Sequence, residues 1–243
     1  MLTVHAAPLV LPVGAAAVER GAVAVDGDRI VALGPYEAVA AAHPAARVRQ
    51  WPGVIAPGLR QRHAEWLLTR CYHPDPREAD ELGADPLSGE AFARLTRELD
   101  ATRWAGSVRR GLQQMLRYGT THLTGPFRDP AVRTAVSRSG LVEVLGGVSP
   151  VEVPGGVLGN VPENVPQSVP ENVSGSVSMG GAADLDPLAG GRDLPDSVHA
   201  PLVTGARADF AVFDVPDEAA LVAAGAGSCV VTVLGGRLVY RRR

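Results

Sequence analysis

Six histidines and 26 acidic side chains are the groups in this 243-residue chain suited to acid–base work or to holding a metal; all 23 basic residues are arginine and lysine is absent. Without lysine there can be no Schiff base, no Walker-type phosphate lysine and no carbamylated lysine bridging two metals. Nucleophilic chemistry has no local support, because neither Ser107 nor Cys71 sits on a nucleophile-elbow sequence. Cys71 and Cys229 lie far apart without a CxxC companion, a pattern of buried free thiols in a reducing cytoplasm rather than of a disulfide framework or structural zinc. Gly146-Gly147 and Gly155-Gly156 lead into a low-complexity tract and not into a helix, so no phosphate loop is expected. Four histidines then hold the interest. His63 stands two residues before Glu65, His73 precedes Pro74 in a loop with Asp75 and Glu78, His122 follows Thr120-Thr121, and His199 is the only histidine between 150 and 200.

The elements that must position them change character along the chain. Ala22 to Val25 and Arg29 to Leu33 are β-branched runs joined by Asp26-Gly27-Asp28, a strong hairpin signal. Tyr36 to Ala42 reads as a helix ended by His43-Pro44, and Arg47 to Trp51 and Val54 to Ala56 return to extended structure. From Pro57 the pattern is α/β. Apolar spacing predicts helices over Glu90 to Arg103 and Ala105 to Tyr118, with a break at Gly106 and a stop at Gly119, followed by a strand from Thr120 to Leu123. Asp129 suits an N-cap, Pro130 the first helical position and Gly140 the C-terminal stop of the next helix, before a strand from Leu141 to Leu145. Strand, helix, strand in that order implies parallel pairing.

Residues 161 to 176 run as four tetrapeptides, Val161-Pro-Glu-Asn, Val165-Pro-Gln-Ser, Val169-Pro-Glu-Asn and Val173-Ser-Gly-Ser. Prolines at period four without long apolar neighbours cannot build a helix or a core face, and residues 151–200 are expected to form a disordered linker. After it, Ala208 to Asp214 alternates at period two, Glu218 to Ala224 reads as a short helix, and Cys229 to Leu234 with Arg237 to Tyr240 forms a second hairpin around Gly235-Gly236.

Three segments together resemble the amidohydrolase superfamily, particularly its imidazolonepropionase-like and aminodeoxyfutalosine-deaminase-like members. They are the opening hairpin Gly21-Ala-Val-Ala-Val-Asp-Gly-Asp-Arg-Ile-Val-Ala-Leu-Gly34, the lead-in Val54-Ile-Ala-Pro-Gly-Leu59, and the closing Gly205-Ala-Arg-Ala-Asp-Phe-Ala-Val-Phe-Asp214 with Val233-Leu-Gly-Gly-Arg-Leu-Val239. The resemblance implies α/β plus β architecture: a composite β-sandwich from both chain ends, 1–56 and 201–243, around a truncated (β/α) barrel-like segment, 57–150. About three of eight βα units would fit that segment. It also implies that a His-x-His pair closes the first barrel strand, alternate residues reaching one metal from one face. The matching positions are His63-Ala64-Glu65, so His63 and Glu65 are the candidate metal ligands, with a carboxylate in place of the second imidazole. The family's later histidines and its aspartate base have no counterpart between Pro150 and Ala200 beyond His199.

Two readings follow. In the first, the chain has a degraded metal site, no catalytic residues and no cofactor, and serves as a binding or scaffold protein. In the second, it remains a hydrolase of non-peptide C–N bonds in cyclic amides, amidines or aminopurines. There zinc or another divalent metal would be held by His63 and Glu65 with His73 or His122, and Asp75 or Glu78 would act as base. The exposed edge of a truncated parallel sheet leads us to expect a homodimer or a protein partner. A formal charge of −3 argues against a nucleic-acid partner, Arg241 to Arg243 reading as a solvated tail. Met1 to His5 lacks a basic region, and Pro8, Pro12 and Gly14 interrupt the apolar stretch from Ala6 to Val18, so neither a signal peptide nor a membrane span is expected.

Overall fold

Residues 2–97, 99–145 and 185–242 are described by the computed structural model. Strands β1 (Thr3–Val10), β2 (Val18–Asp26) and β3 (Arg29–Pro35) form an antiparallel meander, with Gly27 at φ +60° in the expected turn. Helix α1 (Tyr36–Ala42) buries Val39 on β1 and β2. Strands β4 (Arg47–Gln50) and β5 (Val54–Pro57) then lie parallel to the first and last residues of β1. From the other chain end come β9 (Phe210–Phe213), β10 (Cys229–Leu234) and β11 (Arg237–Arg241). The order is β11-β10-β9-β5-β1-β2-β3, with β4 also on β1. The join is the antiparallel pair β5–β9, Val54 opposite Phe213 and Ala56 opposite Ala211.

Both strands of that join are wholly buried, which is why they read as continuous apolar runs rather than alternating ones. One face sends Ile55, Phe210 and Val212 into a core with Val23, Val25 and Ile30, so the sheet curls until its two ends share an interior. The two hairpin turns meet there. A Cβ on Gly236 would lie 2.1 Å from the Gly27 carbonyl oxygen, and only glycine allows that approach. The other face packs Val54, Ala56, Ala211 and Phe213 against Leu11, Leu59 and Leu221.

The middle of the chain makes a second, three-stranded parallel sheet in the order β6-β7-β8: β6 (Leu59–Gln61), β7 (Thr120–Gly125) and β8 (Val142–Leu145). Helices α2 (Ala64–Thr69), α5 (Ala101–Arg117) and α6 (Pro130–Ser139) cover the face that carries Leu123. Between α2 and α5 run the short helices α3 (Ala79–Leu82) and α4 (Gly89–Leu95). The caps of α6 are those expected: Asp129 accepts from the Ala131 and Val132 amides, and Gly140 stands at φ +79°. The whole is mixed α/β with a large antiparallel-rich sheet and, among the described residues, no closed barrel.

Two expectations are corrected. The helix predicted over 90–103 with a break at Gly106 is instead α4, a gap, and α5, with Gly106 inside α5. The break falls where the Asp100 carboxylate accepts from the Arg103 amide at 2.7 Å, and such a cap outweighs the roughly 1 kcal/mol cost of an interior glycine. The expected linker, 151–200, lies mostly outside the described residues, but its last part does not behave as a linker. Helix α7 (Leu194–Ser197) and the residues on either side of it bury Leu185, Leu188, Leu194 and Val198, long apolar side chains that can reach a core. Helix α8 (Glu218–Ala224) forms as predicted. No helix among the described residues is long and apolar enough to cross a membrane.

Candidate functional site

The first barrel-like strand ends sooner than the His63-Ala64-Glu65 reading requires. β6 stops at Gln61, whose Oε1 accepts from the His63 amide at 3.0 Å and whose Nε2 donates to the Leu185 carbonyl at 3.2 Å. His63 is the N-cap of α2 and Glu65 lies in its first turn. Residues two apart on a helix point about 200° from one another, whereas on a strand they share a face. The cause is legible afterwards: Ala64, Leu67 and Leu68 bury at helical spacing against the Leu123 core. His63 is half-buried, and Glu65 is exposed beside the Thr69 hydroxyl.

His73 is placed nowhere near a strand end. It is wholly buried, its amide bound by the Ser107 hydroxyl at 2.8 Å, Nδ1 2.7 Å from Gln114 Oε1 and Nε2 3.0 Å from the Leu67 carbonyl. Burial holds its pKa below the ordinary imidazole value despite those two ring contacts. Gly111 on α5 makes room for the ring: a Cβ there would meet Nε2 at 2.6 Å. The neutral ring has one N–H to give to these two acceptors, and the imidazole bridges α2 and α5.

The acids of the same loop are engaged as well. Glu78 accepts from the Tyr72 hydroxyl at 2.7 Å and from Arg103 Nε at 2.9 Å. Burial pushes the Glu78 carboxyl up, but the Asp75 amide, Tyr72 and Arg103 together hold it below the usual range. Asp75 pairs with Arg110 at 3.2 Å, and Arg110 Nε also donates to the His73 carbonyl.

A different group collects on the face of the small sheet opposite Leu123. Arg60 and His122 are paired in the β6–β7 register, and adjacent strands lie about 4.8 Å apart. Val198 bridges antiparallel to Leu59 and so delivers His199, whose ring centroid is 4.8 Å from that of His122. Burial first, then His199, Arg207 and Arg60, push the His122 pKa down to about 3. His199 is lowered by its burial and by Arg60. Alongside, Asp209 accepts from the Gly235 amide at 2.6 Å and pairs with Arg207 at 3.2 Å, while burial pushes its carboxyl up. No sequence signal pairs His122 with His199, because the tetrapeptide tract separates them.

The candidate metal set is therefore not assembled. Among the described residues no three of His, Cys, Asp and Glu come together to hold a metal ion. His63 caps α2 and Glu65 lies exposed in its first turn, His73 is spent on packing, and His122 sits among arginines. These residues do not fit the group that the resemblance implies.

The comparisons with known proteins agree with the opening hairpin. The family model of the imidazolonepropionase-like composite domain of bacteria matches residues 21–46, which run from within β2 through β3 and α1 to just before β4, so that segment is similar to part of that domain. Among solved structures, the chain is similar to Escherichia coli guanine deaminase (18% identity, TM-score 0.43, 60% of this chain and 36% of that one). It is similar also to Aspergillus niger ochratoxinase (16%, 0.41, 61% and 32%) and Helicobacter pylori aminofutalosine deaminase (15%, 0.40, 60% and 33%). The chain thus spans about a third of the length of each of these proteins. A search of curated protein sequences gives no match.

Proposed function

We propose that this is an amidohydrolase-like protein with a shortened barrel and a degraded metal site, acting as a binding or scaffold protein rather than as a hydrolase. Residues 1–56 and 201–243 are its composite β-sandwich, and 57–150 its truncated barrel segment. The tetrapeptide tract lies in the connection between them. The observation that supports this reading is that His63 caps α2 and Glu65 lies in its first turn, so the strand spacing that would aim both side chains at one metal is not formed. The hydrolase reading would need His73 or His122 as a third ligand, but the His73 ring nitrogens face Gln114 and the Leu67 carbonyl, and the His122 ring contacts Thr121 and His199. Assay of the purified chain with added zinc against cyclic ureas, cyclic amidines and aminopurine nucleosides is expected to show no turnover above buffer. Saturable hydrolysis lost in Glu65→Ala would overturn the reading.

The sheet order ends at β8, where Leu145 is 76% exposed, and no strand among the described residues pairs its outer edge. A second copy or a protein partner covering that edge is part of the same proposal. Light scattering is expected to give a dimer at micromolar concentration, and a clean monomer that binds no hydrophobic dye counts against it. The buried thiols Cys71 and Cys229, the latter pushed by burial up to about 11, suit a reducing compartment such as the cytoplasm.

A further inference from the structure

We propose that Arg60, His122 and His199 form a binding site for a small oxyanion, a phosphate or carboxylate group, on the face of the β6-β7-β8 sheet opposite Leu123, beside α7. The strongest observation is the state of Arg60. Its side chain is 8% exposed, one terminal nitrogen donates to the Asp196 carbonyl at 3.3 Å, and the buried Nε has no partner. A buried guanidinium is ordinarily paired, and its planar fork of N–H groups matches the two oxygens of a carboxylate or phosphate.

The neighbours complete an anion-selective set. His122, 9% exposed, has one hydrogen bond, between Nδ1 and the Thr121 hydroxyl at 2.8 Å. With the hydroxyl as donor, the ring proton sits on Nε2, ready to donate to a bound oxygen. His199 offers a second imidazole at ring-contact distance. The charges facing these rings are Arg60 and Arg207, with Arg62 beside Arg60. Of the nearby acids, Asp209 is committed to Arg207 and the Gly235 amide, and Asp196, which attracts Arg60, does so from an exposed position. Such a set repels a cation and attracts an anion, and the two imidazoles, held neutral by burial and by the arginines, gain protons more readily once an anion is seated.

This gives the binding reading above a ligand class and rests on it, but the two fail separately. Turnover of a cyclic amide would remove that reading and leave this site; absence of anion binding would remove this site and leave that reading. The test is calorimetric titration of the purified chain with inorganic phosphate and, in a second arm, acetate, at matched ionic strength, with histidine ring NMR in parallel. We expect one saturable site per chain and an upward move of the His122 titration midpoint on binding. Arg60→Gln is expected to weaken binding at least about tenfold through loss of the charged fork, with Arg60→Lys intermediate. Arg109→Gln, on α5 away from this face, is expected to leave it unchanged. Tighter phosphate than acetate assigns a phosphoryl group, and the reverse a carboxylate. Because Arg60→Gln removes a buried charge whose Nε has no partner and which holds only the Asp196 carbonyl at 3.3 Å, its anion-free thermal midpoint is expected to be no lower than that of the parent. No saturable binding of either anion, binding unchanged in both Arg60 variants, or zinc bound through His122 and His199 in place of anions would overturn the proposal.

Discussion

Moving the folded chain from about pH 8 to about pH 4 is expected to cost it on the order of 3 kcal/mol at each of two buried histidines, His5 and His122. Burial, helped by Arg49, pushes the His5 pKa down from 6.5 to about 4, and burial with His199, Arg207 and Arg60 pushes His122 down from 6.5 to about 3. In both cases the unfolded chain binds the proton more readily. Their contribution is therefore fully present above pH 6.5 and is lost as the pH falls toward the folded values. The chemistry at His5 is explicit. Trp51 Nε1 donates to His5 Nδ1 at 3.1 Å, which requires a lone pair on that nitrogen, and the edge-on ring of Phe210 offers no counter-charge. Protonation must break the Trp51 bond or place a cation in an apolar core. Urea unfolding at pH 8, 6 and 4 is expected to show the falling midpoint. His5→Gln and His122→Gln should each flatten the fall, and a pH dependence identical in parent and variants would show that these rings are not buried as described.

The second large effect is at the seam of the two chain ends. Phe213→Ala is expected to cost about 3–5 kcal/mol, the range for deleting a buried aromatic ring. Its side chain is fully buried among Val54, Ala56, Leu59 and Leu221, and it lies 3.0 Å from where a Cβ on Gly119 would stand, so it also touches the end of α5. One ring thus joins the N-terminal strands, the C-terminal strands and the helical segment. Leu238→Ala, on the outer hairpin and 38% exposed, should stay within about 0.5 kcal/mol. Urea midpoints with an unchanged slope measure both. A loss below about 1 kcal/mol at Phe213 would mean that the two ends do not share a core.

The elements visible in the sequence were those fixed by local chemistry. The Asp26-Gly27-Asp28 turn, the Asp129-Pro130 start and Gly140 stop of α6, and the Gly235-Gly236 hairpin each rest on residues whose backbone preferences act within a few positions, and each forms. What sequence spacing missed was set by competition or distance. Gly106 is the expected break, but the Asp100 cap sets it instead because a satisfied amide outweighs one glycine. The resemblance places His63 and Glu65 at strand spacing, but Ala64, Leu67 and Leu68 carry a helical period through the same residues, and burial decides between them. The Arg60, His122 and His199 group was invisible because its members come from three segments that only the parallel sheet and the Leu59–Val198 bridge bring together.

The separation of His63 from Glu65 is the claim on which the functional reading turns, and metal content addresses it directly. Elemental analysis of the purified chain, dialysed after zinc loading, is expected to find well under one metal ion per chain, with no difference between the parent and Glu65→Ala. One tightly held transition metal per chain, released by Glu65→Ala, would contradict it.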